Sequence, residues 1–294
     1  MTLRIATRGS ALALAQAGQV GEMLGGAELV TVSSDGEPGD KGRFVRGVEG
    51  ALLDGEAELG VHSAKDVPAA MPEGLVIAAV PPREEAADVW IGPGPSLAEA
   101  PAEARVGTAS LRRRAQLLAI RPDLTVRELH GNVDTRLRKL AEGEIDAIVL
   151  AAAGLRRLGR EDEVAFNVPA TEMTPAAGQG ALLIQARSGD DAAISAATAI
   201  GDRDALCELT AERTVVSLLD ATCSTPIGVR ATVKGERLTV DAFVGLPDGS
   251  EWVRDSRKSG SDDPAGAGAA VAERLLAAGA RDLLERAEAL GALE

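Results

Sequence analysis

The sequence predicts an α/β protein: two α/β domains followed by a small C-terminal α+β domain. Three observations carry that expectation. Short β-rich apolar runs alternate with helical patterns through the first two thirds of the chain, the pattern of largely parallel sheets with helical crossovers. From about residue 202 the pattern changes to one helix, three strand-like segments and an alanine-rich helical end. With 294 residues, 45% of them hydrophobic, the chain is long enough for two domains or three small ones and can build a real core.

The elements follow in order. Leu3–Ala6 is the first strand and runs into a helix over 11–24. Arg4 and Arg8 ahead of Ala11-Leu12-Ala13-Leu14-Ala15 imitate a signal peptide, but the apolar run is short and Gln16 and Gln19 follow at once. A helix over 45–55 leads to strand Leu59–Val61, and Leu75–Val80 is the next strand. Pro81-Pro82 and the Gly/Pro cluster at 92–101 suggest a crossing into a second domain. Strands Arg105–Gly107, Thr125–Leu129 and Ile145–Leu150 then alternate with helices over 111–120 and 133–142, the last closing at Gly143. In the third part a helix over 204–219 precedes strands over 227–233, 237–245 and 251–258, with Pro247-Asp248-Gly249 as a hairpin turn. A helical region over 265–290 ends the pattern, and no internal sequence repeat is visible.

Composition excludes several classes. The two Trp and three Phe are the only aromatics, so the core is expected to be aliphatic. Two cysteines rule out a disulfide framework, and two histidines argue against a His-rich metal centre; no metal is expected. A formal charge of −14 argues against non-specific nucleic-acid binding. No apolar run reaches the roughly 18 residues of a membrane span, so a soluble, cytoplasmic protein is expected. Gly92-Pro93-Gly94-Pro95 has the glycines of a dinucleotide loop, but its prolines spoil the backbone approach, and no Gly-rich loop ends in Gly-Lys-Ser/Thr.

The net charge hides an asymmetry. Residues 1–20 carry +2 and residues 105–139 carry +6, which leaves −22 on the rest of the chain. A solvated helix face would account for such basic islands; an anion site would too. Local rules sharpen the second reading. Ser110 has the setting of an N-cap, which puts Arg112 and Arg113 in the first helical turn, where each cation opposes the helix dipole by about 0.3–1 kcal/mol when exposed. An anion at that helix start reverses the penalty. Asn132 with Arg136, and Ser10 with Arg8, repeat the arrangement. Because consecutive side chains fan out around a helix, Arg114 is expected in solvent.

Val61-His62-Ser63-Ala64-Lys65-Asp66-Val67-Pro68 follows an apolar strand, at the strand end where parallel α/β sheets bind ligands. Asp66 beside Lys65 reads either as a surface ion pair or as a carboxylate that accepts ligand N–H groups and stabilises a cation. His62 reads as a structural histidine. Cys207 lies on the apolar face of a helix with Leu206, Leu209, Val216 and Leu219 and reads as a structural thiol. Cys223, in the small-residue turn Asp220-Ala221-Thr222-Cys223-Ser224-Thr225-Pro226, is equally readable as inert or reactive.

Taken together, RIATRGSALALAQA (4–17), KGRFV (41–45), VHSAKDVP (61–68), VGTASLRRRAQL (106–117), RPDL (121–124), GNVDTRLRKL (131–140), AIVLAAAGLRRLG (147–159), PAAGQGAL (175–182) and CSTPIG (223–228) resemble the porphobilinogen deaminase family, in family order and over nearly the whole chain. The resemblance implies an enzyme, also called hydroxymethylbilane synthase, that joins four porphobilinogen molecules head to tail with loss of ammonia. The tetrapyrrole grows on a dipyrromethane cofactor held by a thioether, here to Cys223. It implies Asp66 as the catalytic carboxylate, which holds pyrrole N–H groups, assists ammonia loss and stabilises the cationic azafulvene. Each pyrrole brings an acetate and a propionate, which gives the basic islands a use. Lys65, Ser63, Thr108, Ser110, Arg112, Arg113 and His130 are the implied cofactor contacts; Arg8, Ser10, Arg136, Arg157 and Gln179 are the implied substrate contacts. The implied fold is two α/β domains around a cleft, like periplasmic anion-binding proteins, plus a small domain bearing the cysteine. The expected limits are 1–84, 85–176, a return to the first domain over 177–200, and 201–294, in a monomer.

Four features depart from the family pattern. His130 replaces an arginine, and a largely neutral imidazole cannot reproduce a permanently charged fork, so a weaker grip on one cofactor carboxylate is expected. Ala221-Thr222 replaces Gly-Gly, Ala109 a common serine, and the segment over 33–40 is shorter than the family's usual loop. A non-catalytic polycarboxylate-binding paralogue is the alternative reading.

Overall fold

The structure, a computed structural model, describes residues 2–33, 42–222 and 225–291. Strand β1 (Leu3–Arg8) is an apolar run whose centre, Ile5 and Ala6, is fully buried. It hands the chain to α1 (Ala11–Met23), whose start is fixed where Ser10 Oγ accepts the Ala13 N–H. Strand β2 (Ala27–Val32) pairs in parallel with one side of β1, and after α2 (Arg43–Leu53) strand β3 (Leu59–Ser63) pairs in parallel with the other. Strand β4 (Leu75–Ala79) completes the first passage through this layer.

The chain then crosses at 80–87 into a second layer. Here β5 (Asp88–Ile91), β6 (Arg105–Gly107), β7 (Thr125–Arg127), β8 (Ala147–Ala151) and β9 (Phe166–Val168) form a sheet. Helices α3 (Leu111–Ile120), α4 (Val133–Ala141) and α5 (Ala152–Arg157) follow β6, β7 and β8. A second crossing returns the chain as β10 (Leu182–Arg187), which inserts antiparallel between β3 and β4, and α6 (Asp191–Thr198) follows. The strand orders are β2-β1-β3-β10-β4 and β7-β6-β8-β5-β9. The two sheets share one topology, each with a single antiparallel strand supplied by the crossing from the other layer, although the sequence shows no repeat.

The third part is helix α7 (Arg203–Leu218), the antiparallel sheet β11 (Ile227–Lys234), β12 (Arg237–Gly245) and β13 (Trp252–Gly260), and helices α8 (Pro264–Ala277) and α9 (Ala280–Gly291). Its core packs Val215, Val229, Val240, Val271 and Leu275 together. The mixed α/β architecture with a separate antiparallel C-terminal sheet is the one expected.

Several local expectations are corrected. Sequence patterning did not single out β2, β5, β9 or β10; β2 is a half-exposed edge strand, and β5 opens on the charged Asp88. Strand β7 stops at Arg127, short of Leu129, and β8 starts at Ala147 rather than Ile145. The segment over 92–101 is no crossing: Leu97 and Ala100 pack with Trp90 and Val106 in the core of the second layer. The terminal helical region is broken at Gly279, whose φ is +93°. The core is not wholly aliphatic, because Trp90 and Phe243 are completely buried.

Buried ion pairs join the three parts. Arg83, on the first crossing, holds Glu212 of α7 through Nη1–Oε1 at 2.8 Å and Nη2–Oε2 at 3.2 Å, and reaches Glu208 at 3.1 Å. The fully buried Glu212 also accepts the Gly178 N–H of the second crossing at 2.6 Å and the Ala231 N–H of β11 at 2.7 Å. Arg213 donates to the carbonyls of Val67, Pro68 and Ala69, and Arg254 to those of Thr171 and Glu172. The third part is thereby tied to both layers. Glu212→Gln leaves the buried Arg83 guanidinium with Glu208 as its counter-charge and costs it the bidentate carboxylate, and unfolding in urea is expected to show a loss of about 1.5–3 kcal/mol.

Candidate functional site

The carboxyl ends of the parallel strands of the two sheets gather nearly all the implied site residues. β1 leads to Arg8 and Ser10, β3 to Ser63, Lys65 and Asp66, β6 to Thr108, Ser110, Arg112 and Arg113, β7 to His130 and Arg136, and β8 to Arg157. Open α/β sheets bind ligands at these ends because helix N-termini and loops converge there. The two ends face each other: α1 lies against α5, with Leu12 beside Gly154 and Gln19 Oε1 3.4 Å from Arg157 Nε.

All three expected caps are present. Ser10, Ser110 and Asn132 accept backbone N–H groups of Ala13, Arg113 and Thr135, at 3.3, 3.4 and 2.9 Å. Thr108 is buried and accepts the Ser110 N–H at 3.2 Å, which shapes the turn ahead of α3. Ser63 ends β3 and receives the Gln16 amide at 2.8 Å.

Arg112 and Arg113 do not fan apart into solvent. They are 4% and 6% exposed and converge on one carboxylate, Asp88, which is itself fully buried. Arg112 is bidentate, with Nη1–Oδ2 at 2.7 Å and Nη2–Oδ1 at 3.1 Å, while Arg113 Nε donates to Oδ1 at 2.9 Å. The carbonyls of Thr174 and Val149 take further guanidinium N–H groups. Burial alone would raise the Asp88 carboxyl, but Arg112 and Arg113 overcome it and hold the group well below the usual carboxylate range. Arg114, expected in solvent, is half-buried instead. The third part packs its 247–249 turn over α3, and the Asp248 carboxyl is lowered chiefly by the Ser250 hydrogen bonds, with a smaller contribution from the Arg114 charge.

Lys65 and Asp66 occupy a 3₁₀ turn directly after β3. Lys65 Nζ donates to Gln179 Oε1 at 3.4 Å. Burial, with Arg113 second, pushes its ammonium down to about 8, against the opposing pull of Asp66 and Asp88. The turn is backed by Gly178, whose φ of +73° and close approach leave no room for a side chain: a Cβ there would lie 2.8 Å from Lys65 N. Gln179 is fully buried and also donates to the Ala86 carbonyl.

Arg136 lies one turn into α4 and donates to the Gly131 carbonyl at 2.9 Å; burial and then Arg113 lower it to about 10. Arg157 donates to the Gly180 carbonyl at 2.9 Å, on the second crossing. Arg8 is half-buried at the end of β1, and its charge helps depress the buried His62 imidazole, which burial takes down to about 4. His130 stands apart: its side chain is 73% exposed and lies 2.7 Å from Glu128. Cys223 and the segment over 34–41 lie outside the described residues. Cys207 is buried, with Sγ donating to the Ser261 carbonyl at 3.5 Å.

Sequence reading passed over Asp88, Arg83, Glu212 and Arg213. A signal existed for Asp88: it is the one charge in Ala86-Ala87-Asp88-Val89-Trp90-Ile91, and a carboxylate opening an apolar strand must find cationic partners.

The arrangement can hold several carboxylates at once, since cations outnumber Asp66 and Asp88 at the facing sheet ends. Residues 3–195 match the family model described as porphobilinogen deaminase, dipyromethane cofactor binding domain, and residues 206–277 the one described as porphobilinogen deaminase, C-terminal domain. The chain is 47% identical over 253 residues to a porphobilinogen deaminase of Campylobacter concisus, covering 85% of this chain and 82% of that one. It is 42% identical over 299 residues to one of Roseiflexus castenholzii, covering 96% and 98%. Among solved structures it is similar to a TRAP periplasmic solute binding protein from Desulfovibrio salexigens, with TM-score 0.41 and 10% identity over 68% of this chain and 72% of that one. Ser110→Ala removes the α3 cap and is expected to lower stability by about 1 kcal/mol in urea unfolding.

Proposed function

The chain belongs to the porphobilinogen deaminase family, and on that premise we propose that it joins four porphobilinogen molecules head to tail into hydroxymethylbilane, releasing ammonia. The observation that carries this reading is the cluster of like charges at the facing strand ends. Lys65 and Arg136 are both depressed by burial and by Arg113, a state that bound carboxylates relieve. A neutral ligand would gain nothing from it.

The same cluster fits a dipyrromethane group, whose pyrroles carry four carboxylates between them. Lys65 and Arg113 would pair with these, Arg112, implied as a direct contact, would support the cluster through Asp88, and Ser63, Thr108 and Ser110 would add polar contacts. Bound through Cys223, the group supplies the primer on which the tetrapyrrole grows. Arg8, Ser10, Arg136 and Arg157 would receive the incoming porphobilinogen; Gln179, implied as a direct contact, is fully buried with both amide atoms bonded and would act on the site through Lys65. His130, at the exposed rim, would contribute least, in keeping with the departure from arginine.

Asp66 is half-buried in the 3₁₀ turn directly after β3. Ionised, it accepts pyrrole N–H groups and faces the cation left on the substrate as ammonia departs, a fixed negative charge aimed at developing positive charge. Gly178 and Arg213 hold the backbone of its turn. The alternative of a non-catalytic polycarboxylate binder finds no support in the comparisons. We place the enzyme in the cytoplasm as a monomer: its exposed large apolar side chains, such as Leu53, Leu206 and Trp252, sit on different elements rather than in one stripe.

Intact mass tests the reading directly. The purified protein is expected to carry a covalent dipyrromethane adduct that Cys207→Ser retains and Cys223→Ser lacks; active protein without any adduct would falsify it. Asp66→Ala is expected to cut kcat by about 10²–10³-fold with unfolding unchanged, and near-wild-type turnover removes Asp66 from the chemistry. The ammonium of Lys65 is the form that binds carboxylates. Without the dipyrromethane group it is present below about pH 8 and lost above, so loading of the apoprotein with dipyrromethane, read by intact mass, should fall as pH rises through about 8.

A further inference from the structure

Asp88 touches no implied ligand, yet its hydrogen bonds join the two halves of the site. Gln179 Nε2 donates to Asp88 Oδ1 at 3.1 Å, while Gln179 Oε1 accepts from Lys65 Nζ. One amide and one carboxylate therefore link Lys65, on the first layer, to Arg112 and Arg113, on the second. The link runs through both crossings, because Asp88 opens β5 just after the first and Gln179 lies on the second. We propose that Asp88 is a positioning residue: acting through Gln179, it holds Lys65 in register with the Arg112–Arg113 pair, so that the cations meet a ligand's carboxylates as a preset group. This rests on the porphobilinogen reading of the site.

The physical case is one of charge and shape. Two guanidinium groups and an ammonium brought together in a desolvated space repel one another, and Asp88 is the buried anion they share. Its two oxygens fix the planes of both guanidinium forks, which leaves little rotational freedom to be lost on binding. The charged groups facing Lys65 are Asp66 and Asp88, which favour the ammonium, and Arg112 and Arg113, which oppose it. Removing the Asp88 charge therefore disfavours protonated Lys65 as well as loosening the forks.

The test uses the holoenzyme and two variants, Asp88→Asn and Gln179→Leu, each assayed for KM, kcat and the titration of Lys65. Reductive ¹³C-methylation makes that titration visible by NMR, since the chain has only five lysines, and Lys65→Arg assigns the signal. In both variants Lys65 should titrate at lower pH than in wild type. KM should rise about 10–100-fold, the size of one or two lost charge-assisted hydrogen bonds, with a smaller change in kcat. A purely architectural Asp88 predicts instead lower thermal stability, with KM and the Lys65 titration unmoved in the folded protein; that result overturns the proposal. Should Asp88→Asn fail to fold, Gln179→Leu decides alone, because it leaves the Asp88–arginine pairs intact, and wild-type KM and titration there overturn the proposal equally. If wild type makes no tetrapyrrole from porphobilinogen, the functional reading fails, while the Lys65 titration still decides whether Asp88 couples the layers.

Discussion

The pairing of Arg83 with Glu212 is the constraint on which the rest of the molecule depends. A fully buried carboxylate on α7 is tolerable only when its charge is matched and its lone pairs are filled. Glu212 meets that demand by drawing in a guanidinium from the first crossing, a backbone N–H from the second and another from β11. Both chain crossings and the C-terminal part are thereby fixed to one point. The Gly178-Gln179-Gly180 segment then has a set position, and it supports the turn that carries Lys65 and Asp66.

From that point the electrostatics of the cleft follow. Helices α1, α3 and α4 start at the facing ends of the two sheets, and each brings side-chain or backbone donors with it. Asp88 offsets part of the positive charge of Arg112 and Arg113, while the surrounding cations and burial keep Lys65 and Arg136 depressed. A chain of net charge −14 thus gathers a group of cations at the facing ends of its two sheets.

Much of the fold was legible because local chemistry wrote it. The capping serines and asparagine, the apolar run into Ser63-Ala64-Lys65-Asp66 and the Pro247-Asp248-Gly249 turn each follow from neighbours within a few residues. The strands that escaped notice are those whose character comes from partners: β10 earns its place by insertion between β3 and β4, and β2 by an edge pairing. Arg112 and Arg113 were legible as the start of a helix facing an anion. That the first anion they meet is Asp88, 24 and 25 residues earlier in the chain, was not.

By itself, then, the sequence determined the α/β class, the helix starts, the Lys65-Asp66 turn and, through its ordered motifs, the family. Those features depend on short-range hydrogen bonding and on residue order, both of which are written along the chain. The tertiary structure alone decided that Arg112 and Arg113 share one buried carboxylate, that Arg114 is covered by the C-terminal part, and that Gln179 links the two layers. Each of these depends on desolvation and on which distant groups meet, quantities that exist only once the sheets are assembled.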